Sequence, residues 1–291
     1  MRISKIIMLL LFGLKSYSQV YFPSNDSTEW DSISPLSFDY CQQNIDSLYN
    51  FLDVNNTKAF ILLRDGKIVL EQYFNGHSDT SNWYWASAGK TILSFLIGVA
   101  QNDGLINIDE STSSYLSAGW TDCNIEQEEM ITVRHQLTMT SGLNDNVDDP
   151  YCTIDSCLLY FTEAGTRWAY HNAPYTLLRD VIENASGLGI NNYNYVKLSS
   201  QIGMNGLFVS QGYNSLFLST ARSMARFGLL MLNEGIWAGN QILADIDYFN
   251  EMINSSQDHN QSYGYLWWLN GKSSFMIPQS QYVFNGHLSP N

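Results

Sequence analysis

Ser87-Ala88-Gly89-Lys90-Thr91-Ile92-Leu93-Ser94-Phe95-Leu96-Ile97-Gly98-Val99-Ala100-Gln101-Asn102 is apolar nearly all round a helical wheel, with Ile92, Leu93, Phe95, Leu96, Ile97 and Val99 covering it. A helix at a protein surface keeps a polar face, whereas one apolar on every side is central and buried. Gly104 stops it. The fold is therefore expected to be built around a helix over 87–102, with Ser87 and Lys90 at its entrance.

Those two residues carry the first chemistry. A serine hydroxyl is a poor nucleophile until a neighbour takes its proton. Positions three apart share a helix face, so Lys90 can reach back to Ser87. Burial and the positive end of the helix both disfavour an ammonium, which suits Lys90 to act as a neutral base. Backbone N–H groups at the helix start can face a developing oxyanion. Of the seven lysines only Lys90 has a serine three residues before it. A phosphate-binding loop is rejected, because Tyr84 stands where its first glycine is needed. The G-x-S-x-G elbow fails too, with Trp85 at its first glycine.

Working outward, Phe38 to Leu52 has helical apolar spacing. Ala59 to Phe74 reads as a hairpin turning at Asp65-Gly66, apolar on both faces and so expected to be covered on both. Helices are predicted at Thr132 to Thr140 with Thr132 as N-cap, Pro174 to Ala185 with Gly187 as stop, Thr220 to Asn233, and Ile246 to Ile253. Tyr263 to Leu269 reads as a short strand. Strands at the start, a long helical middle and strand near the end predict an α+β fold whose sheet is completed by both chain ends.

The chain has 291 residues, 14 Lys plus Arg against 28 Asp plus Glu, and a formal net charge of -14. A face that neutralises phosphates needs clustered Lys and Arg, so nucleic-acid partners are excluded. No apolar run reaches the roughly 20 residues of a membrane span. Acidity of this order favours a monomer. Residues 1–18 read as a secretory signal peptide: Arg2 and Lys5 lead, Ile6 to Leu14 is apolar, and Ser16-Tyr17-Ser18 offers a cleavage site before Gln19. The expected location is periplasmic or extracellular, without a lipid anchor, since no Cys stands at the cleavage point. An exported chain can form disulfides. Cys41, Cys123, Cys152 and Cys157 allow three pairings, and Cys152 with Cys157, in a turn-rich stretch, is the favoured bridge. No zinc-ligand spacing occurs, so no metal is expected.

The second chemical element is Tyr170-His171-Asn172. A tyrosine beside a lysine cation loses its proton more easily and can relay protons. The Asn172 amide can hold Lys90 or a substrate carbonyl. His171 is either a third proton carrier or a structural imidazole. His135 reads as helix packing; His77, His259 and His287 read as loop residues. Trp83, Trp85 and Trp168 flank the two motifs and would wall a cleft for an apolar or ring-bearing substrate.

At these residues the chain resembles the serine β-lactamase and penicillin-binding-protein superfamily. It is most similar to the branch of class C β-lactamases, D-alanyl-D-alanine carboxypeptidases, esterases and 6-aminohexanoate-dimer hydrolases. The likeness includes Ser87-x-x-Lys90, Ile131-Thr132-Val133-Arg134-His135-Gln136-Leu137-Thr138-Met139-Thr140-Ser141-Gly142-Leu143, Tyr170-x-Asn172, Ser219-Thr220-Ala221 and Tyr263-Gly264-Tyr265-Leu266-Trp267-Trp268. It runs from about Ala59 onward. The resemblance implies an antiparallel five-stranded sheet packed by helices beside an all-helical lobe, with the site between them and no metal or organic cofactor. It also implies Ser87 as acylated nucleophile, Lys90 as its base, and Tyr170 as the group that protonates the leaving group and activates water. Asn172 would orient Lys90 and substrate.

His171 replaces the small residue of class C lactamases, which points to an esterase or amidase of small molecules ahead of a β-lactamase or D-alanyl-D-alanine carboxypeptidase. A silent relative that binds peptidoglycan or a partner protein is the reading from another class. The family's Lys/His-x-Gly motif has no clear counterpart; Gly286-His287-Leu288-Ser289 is nearest, with Ser289 in place of Gly and Pro290 following. The 19–291 domain is thus expected to be incomplete at its C-terminus and, expressed as 19–291, poorly stable or inactive. A cooperatively melting, ester-cleaving 19–291 chain would refute that expectation.

Overall fold

The computed structural model describes residues 20–288. The signal segment 1–18 lies outside them, as do Ser289 and Pro290. The central helix spans Lys90–Asn102 and follows a 3-10 turn at Ala86–Gly89. Ile92, Phe95, Leu96 and Ile97 are wholly buried; each contributes roughly 1.5–3 kcal/mol of burial. Tyr248, on the helix Ile246–Met252, donates its hydroxyl to the Ser94 carbonyl at 2.7 Å. Its ring lies so close that a Cβ on Gly98 would stand 2.3 Å from Tyr248 Cε1, so only glycine fits there.

The hairpin forms where expected. Strands β1 (Ala59–Arg64) and β2 (Lys67–Tyr73) pair antiparallel around Asp65 and Gly66, both with positive φ, and a register shift falls between Leu62 and Leu63. Phe60, Leu62, Val69 and Leu70 pack with Ile45 of the helix Gln42–Val54, while Leu63 turns toward the main core. Cover on both faces is thus supplied by helix and core.

Among the described residues β1 and β2 form a two-stranded sheet. The expectation of a sheet completed by both chain ends is corrected here: near the C-terminus, Ser274–Phe275 and Phe284–Asn285 pair with each other instead. A second sheet comes from the middle of the chain, which the sequence reading gave wholly to helix. Its strands are β3 (Asn82–Tyr84), β4 (Leu207–Gln211) and β5 (Asn214–Thr220), in the order β3-β5-β4. Strand β4 buries only Phe208, so it lacks the alternation that marks a strand in sequence.

The helix Ala221–Leu232 begins at Thr220, whose hydroxyl accepts from the Ser223 N–H. The Pro174–Ala185 prediction resolves into two helices, Asn172–Thr176 and Leu178–Ser186, closed by Gly187 in the left-handed region. Thr132 caps Val133–Leu137 as expected. His135 does more than pack: its Nδ1 accepts the Thr132 N–H, completing a reciprocal cap. Tyr263 to Leu269 is not a strand. Gly264 N–H donates to the Trp267 carbonyl, Leu266 takes φ 61°, and a single bridge joins Tyr263 to Trp268. That tight turn brings two aromatic rings onto the site. Among the described residues, no helix is long and apolar enough to cross a membrane.

Candidate active site

Strand β3 delivers the serine. Its pairing with β5 continues one residue past the strand, where the Trp85 N–H donates to the Phe217 carbonyl at 2.8 Å. The chain then breaks direction at Ala86, held at φ 48°, a conformation that costs a non-glycine residue on the order of 1 kcal/mol. The following 3-10 turn leaves Ser87 exposed and directs Gly89 and Lys90 inward. Gly89 lies against β5, where a Cβ would approach Phe217 Cβ to 3.0 Å.

Lys90 is 5% exposed, and its Nζ donates to Ser87 Oγ at 3.2 Å. The ammonium head stands over two rings, 4.1 Å from the centroid of Tyr175 and 5.1 Å from that of Tyr170. Among the described residues no carboxylate pairs with it. Burial alone lowers its pKa, to about 7, so at neutral pH a large fraction is the free amine.

Tyr170 lies against both. Burial raises its phenol above the ordinary value, while hydrogen bonding with the Ser87 and Trp268 side chains pulls the other way without winning. This corrects the expectation of an easily ionised phenol: the lysine beside it is depleted of charge by the same burial. The resting pair is therefore an amine able to take a proton and a phenol able to give one.

The remaining predicted residues divide. Asn172 is the first residue of its short helix and half-buried, and its side chain makes no hydrogen bond to Lys90 among the described residues. The rings of Tyr170 and Tyr175 take the place expected for it. Trp85 is not a cleft wall: it is buried, packs on Phe217 and Phe227, and donates its indole N–H to Ser219 Oγ at 2.7 Å. Trp168 is likewise buried, beneath Tyr170, Tyr263 and Trp268. The motif-flanking aromatics left exposed are Trp83 and Tyr84, stacked with ring centroids 5.3 Å apart, and Trp83 lies against His77 and Lys58. Tyr175 and Trp268 were missed as site residues. Trp268 stacks on Tyr170 at 5.7 Å, and the Trp267-Trp268 doublet was the available signal. Cys152 and Cys157 are bridged; Cys41 and Cys123 are free thiols. Gly286 and His287 follow the Phe284–Asn285 strand, where the Gly286 N–H donates to the Ser273 carbonyl and the His287 Nδ1 lies 2.9 Å from the Lys272 carbonyl oxygen.

His171 is 2% exposed, and neither ring nitrogen has a partner among the described residues. Burial lowers its pKa from 6.5 to about 4, with Asp145 opposing and Arg167 assisting. Between those two values the unfolded chain binds the proton and the folded chain does not. Stability is therefore complete above pH 6.5 and is lost as the pH falls toward 4, by up to on the order of 3 kcal/mol. Thermal melts of His171→Phe are expected to show a smaller drop between pH 7.5 and 4.5 than the wild type. An equal drop would place the acid lability elsewhere.

A serine at a strand-to-helix break, an amine one turn on and a phenol from a distant loop form a recognisable set. The beta-lactamase family model matches residues 57–286, and so spans strands β1 to β5 and all three groups. The chain belongs to the beta-lactamase family. Its members share the fold of serine hydrolases and acyltransferases. An uncharacterised protein of Alkalihalophilus pseudofirmus is 23% identical over 270 residues, covering 80% of this chain and 76% of that protein. A Bacillus anthracis structure described provisionally as a 6-aminohexanoate-dimer hydrolase superposes with a TM-score of 0.67 at 20% identity, over 90% of this chain and 79% of that one. A provisionally described beta-lactamase from Bacteroides dorei gives 0.65 at 17%, over 79% of each chain. At these identities the structural likeness shows the beta-lactamase fold, α+β as the sequence predicted.

Proposed function

We propose that this protein is an exported serine hydrolase that cleaves an ester or amide of a small molecule through an acyl-enzyme on Ser87. The observation that carries the reading is the 3.2 Å contact between an exposed Ser87 and a buried Lys90 whose amine is partly uncharged at neutral pH. Lys90 Nζ takes the Ser87 proton as Oγ bonds to the substrate carbonyl carbon. Backbone N–H groups at the helix start are the donors this reading assigns to the developing oxyanion. Tyr170 then gives its proton to the leaving oxygen or nitrogen, the bond to the carbonyl carbon breaks, and the Lys90 ammonium returns a proton to the phenolate. Water completes the cycle by the reverse transfers, freeing the acid and regenerating the Ser87 hydroxyl.

Asn172 enters as a substrate-facing amide at its helix start rather than as a Lys90 ligand. His171 in the middle of the second motif favours small esters and amides over β-lactams or peptidoglycan. The Cys152–Cys157 bridge suits an oxidising compartment, which supports export.

Hydrolysis of p-nitrophenyl acetate and butyrate by the native protein tests this directly. Ser87→Ala is expected to lose at least about 10³-fold in kcat/KM. Turnover undiminished in Ser87→Ala would overturn the assignment, and a native protein that neither hydrolyses esters nor accepts a serine-directed fluorophosphonate would favour a binding role.

A further inference from the structure

We propose that Tyr175 is a positioning residue for the reaction: the face of its ring holds Lys90 against Ser87 and sets the lysine's strength as a base. The inference rests on the serine-hydrolase reading above and extends it to a residue outside both motifs.

A lysine this deeply buried needs something in place of water. Lys90 Nζ has one hydrogen bond, to Ser87, and no acidic partner among the described residues. The groups in contact with Nζ are Ser87 on its own turn, Tyr170 from the preceding loop and Tyr175 from the helix Asn172–Thr176; Tyr263 of the aromatic turn and Tyr151 neighbour those two phenols rather than the amine. Burial raises the Tyr170, Tyr175 and Tyr263 phenols, so all three are neutral at working pH. What Tyr170 and Tyr175 present to the cation is ring face, and Tyr175 is nearer, at 4.1 Å against 5.1 Å for Tyr170. A cation over an aromatic face is stabilised by the ring quadrupole, most strongly where water is excluded. Tyr175 is itself 5% exposed and fixed in the core, so its ring has little freedom to leave.

Two opposing effects therefore fix Lys90. Desolvation drives the proton off, and the ring face restrains that loss. Without the face, Nζ loses both a wall that keeps it pointed at Ser87 and part of what lets it carry the proton it has just taken. The phenolic oxygen has no part in this, which separates the proposal from a proton relay through Tyr175.

The test measures Lys90 ionisation in two ways. One is the acid limb of kcat/KM for p-nitrophenyl acetate. The other is competitive acetylation of the native protein by acetic anhydride across pH 5–11, read at Lys90 by peptide mass spectrometry, which requires no turnover. Tyr175→Phe keeps the face and is expected to leave both midpoints within 0.3 pH unit of wild type (about the resolution of such titrations). Tyr175→Leu removes it and is expected to move both midpoints down by about one unit. Because Tyr175→Leu opens a hole, pentafluorophenylalanine at position 175 supplies a ring of the same shape with its quadrupole reversed. It too is expected to lower the midpoints. A midpoint that rises in Tyr175→Leu means that entering water, rather than the lost face, governs Lys90 and overturns the proposal, as does a pentafluoro variant matching wild type. If acetylation shows the shifts while no variant hydrolyses ester, the ring's role stands and the hydrolase reading fails.

Discussion

Lys90→Met is expected to abolish ester hydrolysis and, at the same time, to raise the melting temperature. Loss of a general base costs about 10²–10⁴-fold in rate. The stability gain follows from the same burial that makes the base. The Lys90 pKa falls from 10.5 in the open chain to about 7 in the folded one. Between those values the unfolded state holds the proton more tightly, so wild-type stability is full above pH 10.5 and declines as the pH falls toward 7. Methionine fills a similar volume without a charge to desolvate. A gain on the order of 2 kcal/mol at pH 7.5 is expected, or about 4–8 °C in melting temperature. The gap should close as both proteins are melted at increasing pH toward 10.5. A variant less stable than wild type at pH 7.5 would show that the stem and the Ser87 contact matter more than the buried amine.

Tyr170→Phe is the second large effect. The ring stays stacked on Trp268 and over Lys90, so packing changes little; what is lost is the proton given to the leaving group. A fall of about 10²–10⁴-fold in kcat/KM is expected for substrates with a poor leaving group, such as an alkyl ester or an anilide. A p-nitrophenyl ester, whose leaving group needs no proton, should lose much less. Stopped-flow comparison of the two substrate types checks this, and equal losses on both would assign Tyr170 to positioning instead. The raised phenol also places any alkaline fall in rate above pH 10 in the wild type.

The parts of this arrangement that could be read from sequence are those fixed by local rules. The helix at 90–102 is marked by apolar residues on every face, the hairpin by its Asp65-Gly66 turn, and the Thr132 cap by a side chain that serves its own first turn. Ser87 and Lys90 meet because their spacing is helical, even though the turn between them is 3-10. The failures are tertiary. Trp85 and Trp168 flank the motifs in the chain, yet β5 and the 263–268 turn bury them, and Trp83 and Tyr84 are left at the surface. Tyr175 reaches Lys90 only because the helix Asn172–Thr176 packs against strand β5 and against the helices Val133–Leu137 and Leu178–Ser186, which no local pattern announces. The β4–β5 hairpin was lost to its own exposure: with Phe208 as the sole buried residue of β4, nothing in its periodicity separates it from loop. The expected contact from Asn172 to Lys90 is missing for another reason, since ring faces stand against the amine instead.

The most direct measurement is the pH dependence of acylation, located by peptide-mapping mass spectrometry after brief exposure of the native protein to a fluorophosphonate between pH 5 and 9. The expected result is a single adduct on Ser87, forming at a rate that is half-maximal near pH 7 and level above pH 8. An adduct on any other serine, or a rate at Ser87 that keeps climbing through pH 9 as an ordinary lysine would dictate, would contradict a serine activated by a buried, half-neutral amine.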